Sequence, residues 1–175
     1  MRQGIAIGAG FVLVLFSIIA VTQFGASPTG ESTESAQCQV KPFRETEAEG
    51  LIQEGAVIVY HRTAGPQCVD QLYAIYPDGR ITGSDGVSSV EKKIDPEEVV
   101  KLLTAISVDH QWFTDEIYST YLNPCRQCFA HYINISYDGQ DKSVTGVDGT
   151  TAMPPGYAFA LAEIRPLLPE INPAQ

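Results

Sequence analysis

The apolar residues of the chain fall into runs with three different periods, and each predicts a different element. Ile5 to Val21, "IAIGAGFVLVLFSIIAV", is almost wholly apolar with no period at all. With the residues up to Phe24 it is long enough, at about 1.5 Å per residue, to reach across the roughly 30 Å of a bilayer core. "AVIVYHR" (Ala56 to Arg62) and "QLYAIY" (Gln71 to Tyr76) are short β-branched and aromatic runs, separated by "TAGPQC" and followed by "PDG". They read as two strands, and Asp78-Gly79 as the hairpin that returns a third strand over Arg80 to Gly83, because glycine accepts the positive φ of tight turns. "FAHYINISYDG" alternates strictly: Phe129, His131, Ile133, Ile135 and Tyr137 on one face, Ala130, Tyr132, Asn134 and Ser136 on the other. That is the period of a half-buried strand, and Asp138-Gly139 turns it into a partner strand over Lys142 to Val147.

Two stretches carry the helical period instead. In "IDPEEVVKLLTAISVDH" Val99, Leu102, Leu103 and Ile106 fall on one face, behind Asp95 as N-cap and Pro96 at the first helical position. "PPGYAFALAEI" starts a second helix behind Pro154 and Pro155, and Pro166 ends or kinks it. The predicted order is β-β-β-α-β-β-α. The fold class is therefore α+β, an antiparallel sheet of about five strands with two helices on one face, preceded by one N-terminal transmembrane or signal helix. "IYPDGRITGSDG" and "ISYDGQDKSVTGVDG" share a strand, an Asp-Gly, a returning strand and Thr-Gly-X-Asp-Gly, each followed later by a proline-started helix. This is a candidate duplication of a β-β-α unit.

Three segments follow from these periods. Residues 1–26 are a signal-anchor or a signal peptide; residues 27–49 are a flexible linker; residues 50–175 are the domain. The linker "SPTGESTESAQCQVKPFRETEAE" is rich in Ser, Thr, Glu and Pro and has no apolar period, so it buries too little surface to offset the entropy of ordering. Arg2 before the apolar run and Glu31 and Glu34 after it place the N-terminus in the cytoplasm and the domain outside. A single-pass protein of the cell membrane is expected, with a secreted form, after cleavage, as the alternative. From Ser27 onward ten Lys and Arg face twenty-one Asp and Glu, a net charge of −11. That excess points away from nucleic acid and from anionic lipid headgroups. The expected partners are the membrane, through the N-terminal helix, and a protein outside the cytoplasm.

Candidate chemistry is concentrated in "NPCRQCFAHY", where Cys125, Cys128 and His131 stand at three-residue intervals. A thioredoxin-type pair requires Cys-X-X-Cys at the start of a helix, whereas here it precedes a strand. A structural zinc site needs four ligands, and Cys125, Cys128 and His131 supply three. Outside the cytoplasm, four cysteines most simply mean two disulfides. All four, Cys38, Cys68, Cys125 and Cys128, are candidates, with Cys125–Cys128 across a turn and Cys38–Cys68 fastening the linker as the favoured one of three connectivities. No Gly-X-Ser-X-Gly, His-Glu-X-X-His, phosphate loop or dinucleotide glycine pattern occurs, and no cofactor is implied. The expected function is binding or interaction outside the cytoplasm. The alternative is a small metal- or thiol-dependent enzyme using Cys125, Cys128 and His131.

"VIVYHRTAGPQC", "LYAIYPDGRIT", "DPEEVVKLL", "CFAHYINISYDGQDKSVT" and "PPGYAFALAEI" together resemble small exported or membrane-anchored bacterial domains. More loosely they are similar to the emfourin family, protein inhibitors of thermolysin-type metalloproteases. The resemblance implies an inhibitor-like role. Where family members tend to carry a Ser-Gly-Gly-like turn after the first strand, this chain has Thr63-Ala64-Gly65-Pro66, and no inhibitory residue is carried over.

Overall fold

The computed structural model describes residues 43–114, 117, 120–121, 125, 127–151 and 153–171. The apolar run Ile5–Val21 and Cys38 lie outside the described residues. Among those described, no helix is long and apolar enough to cross a membrane.

Seven strands form one mixed sheet in the order β4-β3-β2-β1-β6-β7-β5. They are β1 (Ile58–Ala64), β2 (Val69–Ile75), β3 (Arg80–Ser84), β4 (Ser89–Lys93), β5 (Thr120–Tyr121), β6 (Phe129–Tyr137) and β7 (Gln140–Val147). The five strands read from the sequence are β1, β2, β3, β6 and β7, and the expectation of five is corrected to seven. β4, "SVEKK", is an exposed edge strand whose residues are mostly charged, so it has no apolar alternation to betray it. β5 is two residues long and runs parallel to β7, which also corrects the expected all-antiparallel pairing.

Among the described residues three helices pack on the sheet: α1 (Glu45–Gln53), α2 (Pro96–Thr104) and α3 (Pro155–Ile164). α2 and α3 share one face. Val99, Leu102, Leu103 and Ile106 from α2 and the turn after it, with Tyr157, Leu161 and Ile164 from α3, bury Ile58, Tyr60, Ile75, Ile133 and Ile135. α1 belongs to the opposite face, where Ala48, Leu51 and Ile52 pack with Phe43 against Val59, Leu72, Ala74, Tyr76 and Tyr132. The two helices read from the sequence thus share one face, and α1 is a third helix on the other, which the sequence reading did not include. The reason α1 escapes a sequence reading is its composition: "ETEAEGLIQ" has three glutamates, Ala48 is its one fully buried residue, and it opens inside the stretch expected as linker.

The helix ends follow their local chemistry. The Asp95 carboxylate accepts from the Glu97 backbone N–H at 2.9 Å, with Pro96 behind it in the first turn. Asp95→Ala should therefore lower stability by about 0.5 to 2 kcal/mol, read as a shift in a urea unfolding midpoint. A loss below about 0.3 kcal/mol would mean that α2 starts without this cap. α3 ends at Ile164 and continues as a 3-10 turn over Arg165–Leu167, with Pro166 inside it.

The two Thr-Gly dipeptides have a common steric reason. A Cβ at Gly83 would stand 2.6 Å from the Tyr73 ring, and one at Gly146 would stand 2.7 Å from the Tyr157 hydroxyl oxygen. In both, the missing side chain lets a tyrosine lie across the sheet. The repeated hairpins, β2–β3 and β6–β7, are not neighbours, because β1 stands between them.

Candidate binding cleft

The Cys125–Cys128 pair is a disulfide with its Cα atoms 5.4 Å apart, closer than an extended stretch of that length allows, so the chain turns there before entering β6. Cys68, in the β1–β2 hairpin, is also disulfide-bonded; Cys38, the partner expected from the sequence, lies outside the described residues. The metal alternative required Cys125, Cys128 and His131 to act as joint ligands. The structure does not bring them together in that way, since the two sulfurs are bonded to each other and both ring nitrogens of His131 are engaged elsewhere.

The three histidines are held apart. In the antiparallel register His131 lies opposite Arg62 and His61 opposite Tyr132, so His131 points to the α2–α3 face and His61 to the α1 face. His131 Nε2 lies 2.9 Å from Asp148 Oδ1 and its Nδ1 lies 2.8 Å from the Tyr60 hydroxyl. The arrangement that satisfies all groups has Nε2–H donating to the carboxylate and Tyr60 O–H donating to Nδ1. His61 repeats the scheme: Nε2 is 2.7 Å from Asp70 Oδ1, and Nδ1 accepts from the Arg44 backbone N–H at 3.4 Å. Burial holds both imidazoles below their ordinary range, against the pull of the neighbouring carboxylates. Burial also pushes the Tyr60 hydroxyl far up, so it remains a protonated donor. His110 instead stacks on Phe159, with ring centroids 3.7 Å apart. The three histidines therefore do not share one site.

What the register does assemble is a polar row at the end of the helix-covered face. Arg62 stands opposite Gln71 on β2 and opposite His131 on β6; Tyr60, one pleat further in, stands opposite Tyr73. The rings of Tyr73, Tyr60 and His131 form a stacked series, with centroid separations of 6.1 and 5.9 Å. The Arg62 guanidinium lies over Phe129 at 4.9 Å from the ring centroid and donates from Nη2 to Gln71 Oε1. Above this floor, the segment after α3 forms a wall with Arg165, Leu168, Pro169 and Ile171. Between floor and wall lies a cleft of about 960 Å³, with the β1–β2 hairpin at one side. None of its residues belongs to a motif. Their signal was positional: in "AVIVYHR" the alternation that buries Ile58 and Tyr60 places a cation, Arg62, next on the same face.

Compared with known proteins, the chain matches no protein-family model, and no curated protein matches it. The functional reading therefore rests on the cleft and on the chemistry of its lining. Among the described residues that lining is mixed in character, with tyrosine rings, amide and carboxylate side chains and guanidinium groups around a space of ligand size. Such a surface can hold and orient another molecule.

Proposed function

We propose that the protein is a membrane-tethered or secreted binding module that engages a protein partner outside the cytoplasm. Its working surface is the cleft between β1–β2 and the segment after α3. The observation that carries this reading is the cleft itself, about 960 Å³ left open on a sheet face that α2 and α3 otherwise cover. Two disulfide-bonded segments flank the module, at Cys68 and at Cys125–Cys128, which suits an oxidising compartment; pairing of Cys68 with Cys38 belongs to the same reading. Inhibition of a thermolysin-type metalloprotease is its narrower form, supported by the sequence resemblance.

Val69 lines the cleft and is partly exposed, so Val69→Trp fills the space from its rim without emptying the core. The full chain, immobilised and exposed to an extracytoplasmic cell fraction, should retain a partner that Val69→Trp releases at unchanged melting temperature. Equal retention by both proteins would move the binding surface off the cleft and reject the proposal. In the narrower form, a thermolysin-type enzyme should be inhibited by the wild type and not by Val69→Trp.

A further inference from the structure

The charge distribution around the cleft narrows what it can hold. The chain as a whole carries a net charge of −10, a balance that disfavours the approach of anions. Two guanidinium groups from distant parts of the chain, Arg62 on β1 and Arg165 after α3, line one concavity together with three carboxylates, Asp70, Asp85 and Glu170; Asp70 is engaged by His61 and Arg44 and Asp85 accepts from the Val87 and Ser88 backbone N–H groups. Both arginines lie near enough to Tyr60 and His131 to act on them electrostatically. Among the described residues no carboxylate forms an ion pair with either arginine. Arg62 Nε is buried without a protein acceptor, so the guanidinium is not fully satisfied within the protein.

The rest of the lining is not that of a site for an inorganic ion. Tyr60 and Tyr73, both buried, underlie the cleft, and Leu168, Pro169 and Ile171 form an apolar wall. A volume of about 960 Å³ sits at the upper end of the roughly 300–1,000 Å³ found for organic ligands. Gln67, at the hairpin side of the cleft, brings an amide group suited to pairing with a peptide backbone. A ligand that uses the guanidinium, apolar and amide parts of this lining has a carboxylate at one end, an apolar side chain beside it, and amides behind.

Resting on the reading of the cleft as the working surface, we propose that it takes the carboxyl end of a peptide chain. The terminal carboxylate sits between Arg62 and Arg165, and the last side chain lies against Tyr60, Tyr73 and the wall. Arg62 is the fixed element, held by Gln71 and Phe129. Arg165 is exposed and closes from the opposite side.

The test is a titration of the isotope-labelled full chain, in micelles, with N-acetyl-Gly-Gly-Phe as the free acid, with the same peptide as its carboxamide, and with hexanoate. The free acid should shift the backbone amide signals of Arg62, Gln71 and Tyr73. Amidation of the peptide, or Arg165→Gln in the protein, should each weaken binding about tenfold or more, the expected scale for losing a charge-assisted contact. Arg165 is exposed, so this variant should keep the wild-type melting temperature. Hexanoate should bind at least about tenfold more weakly than the peptide acid if the amides behind the carboxylate are also recognised. Equal binding of acid and carboxamide overturns the proposal, and so does an unchanged affinity in Arg165→Gln. Hexanoate equal to the peptide overturns it in favour of a free organic acid. Absence of any shift also overturns it, while partner retention by wild type against Val69→Trp continues to judge the broader reading separately.

Discussion

Replacing Trp112 by alanine should lower the free energy of unfolding by about 3 to 5 kcal/mol, the range for emptying a buried aromatic site. The side chain is wholly buried, its Nε1–H donates to the Lys142 carbonyl at 3.2 Å, and its ring stacks on Tyr157 with centroids 6.2 Å apart. Tyr157 in turn packs against Tyr121 and over Gly146. The indole therefore joins the end of α2, the strand β7 and the helix α3 through one set of contacts. Alanine leaves the Lys142 carbonyl without that donor and leaves a cavity that three elements cannot jointly close. Because the wall of the cleft follows directly from α3, the same substitution should weaken binding at the cleft. Urea denaturation measures the effect, with Val108→Ala, at an exposed position, as the control expected to change stability by less than about 0.5 kcal/mol. A loss below about 1 kcal/mol at Trp112 would remove it from the core.

How much of this was legible in the sequence depends on whether local pattern or register carries the feature. Strict alternation from Phe129 to Tyr137 marked β6, and Asp78-Gly79 and Asp138-Gly139 marked the β2–β3 and β6–β7 hairpins, because period and turn chemistry are written within a few residues. Asp95-Pro96 marked the start of α2 for the same reason. β4 and α1 were illegible because their exposed faces dominate their composition: one is Ser-Val-Glu-Lys-Lys, the other a glutamate-rich segment anchored by Ala48. The site was less legible than the fold. "NPCRQC" announced a bridged turn, but the cleft depends on β1 lying between β2 and β6. Only that pairing puts Gln71, Arg62 and His131 in one row. Nothing in the neighbourhood of Arg62 or Arg165 refers to the other, so their convergence is a property of the assembled sheet and not of either segment.

Acidification should destabilise the domain, beginning as pH falls through about 6.5, and the two buried histidines should carry the effect. His61 and His131 are 1% and 0% exposed, and burial depresses both imidazoles below 6.5. Asp70 and Asp148 oppose that depression, while Arg44 beside His61 and Arg62 and Arg165 near His131 add to it. Between pH 6.5 and the lower native values, the unfolded chain holds protons that the folded chain does not. Stability then rises with pH, so the contribution is complete above 6.5 and is lost on going down. Each histidine can contribute a slope of at most about 1.4 kcal/mol per pH unit. Melting temperatures between pH 7.5 and 5 should show the decline, and His131→Gln should make it shallower. The same variant should be less stable at pH 7.5 by roughly 1 to 3 kcal/mol, since a glutamine amide carries an acceptor and a donor but cannot place them at the two ring-nitrogen positions that meet the Tyr60 hydroxyl and Asp148. Mass mapping without reduction should still find Cys125 joined to Cys128, because the bridge does not depend on the imidazole. A wild type that grows more stable on acidification would mean that Asp148 and Asp70 outweigh burial. His131 would then be a charged partner of Asp148 in the folded state, and the Tyr60 hydroxyl would lose its acceptor.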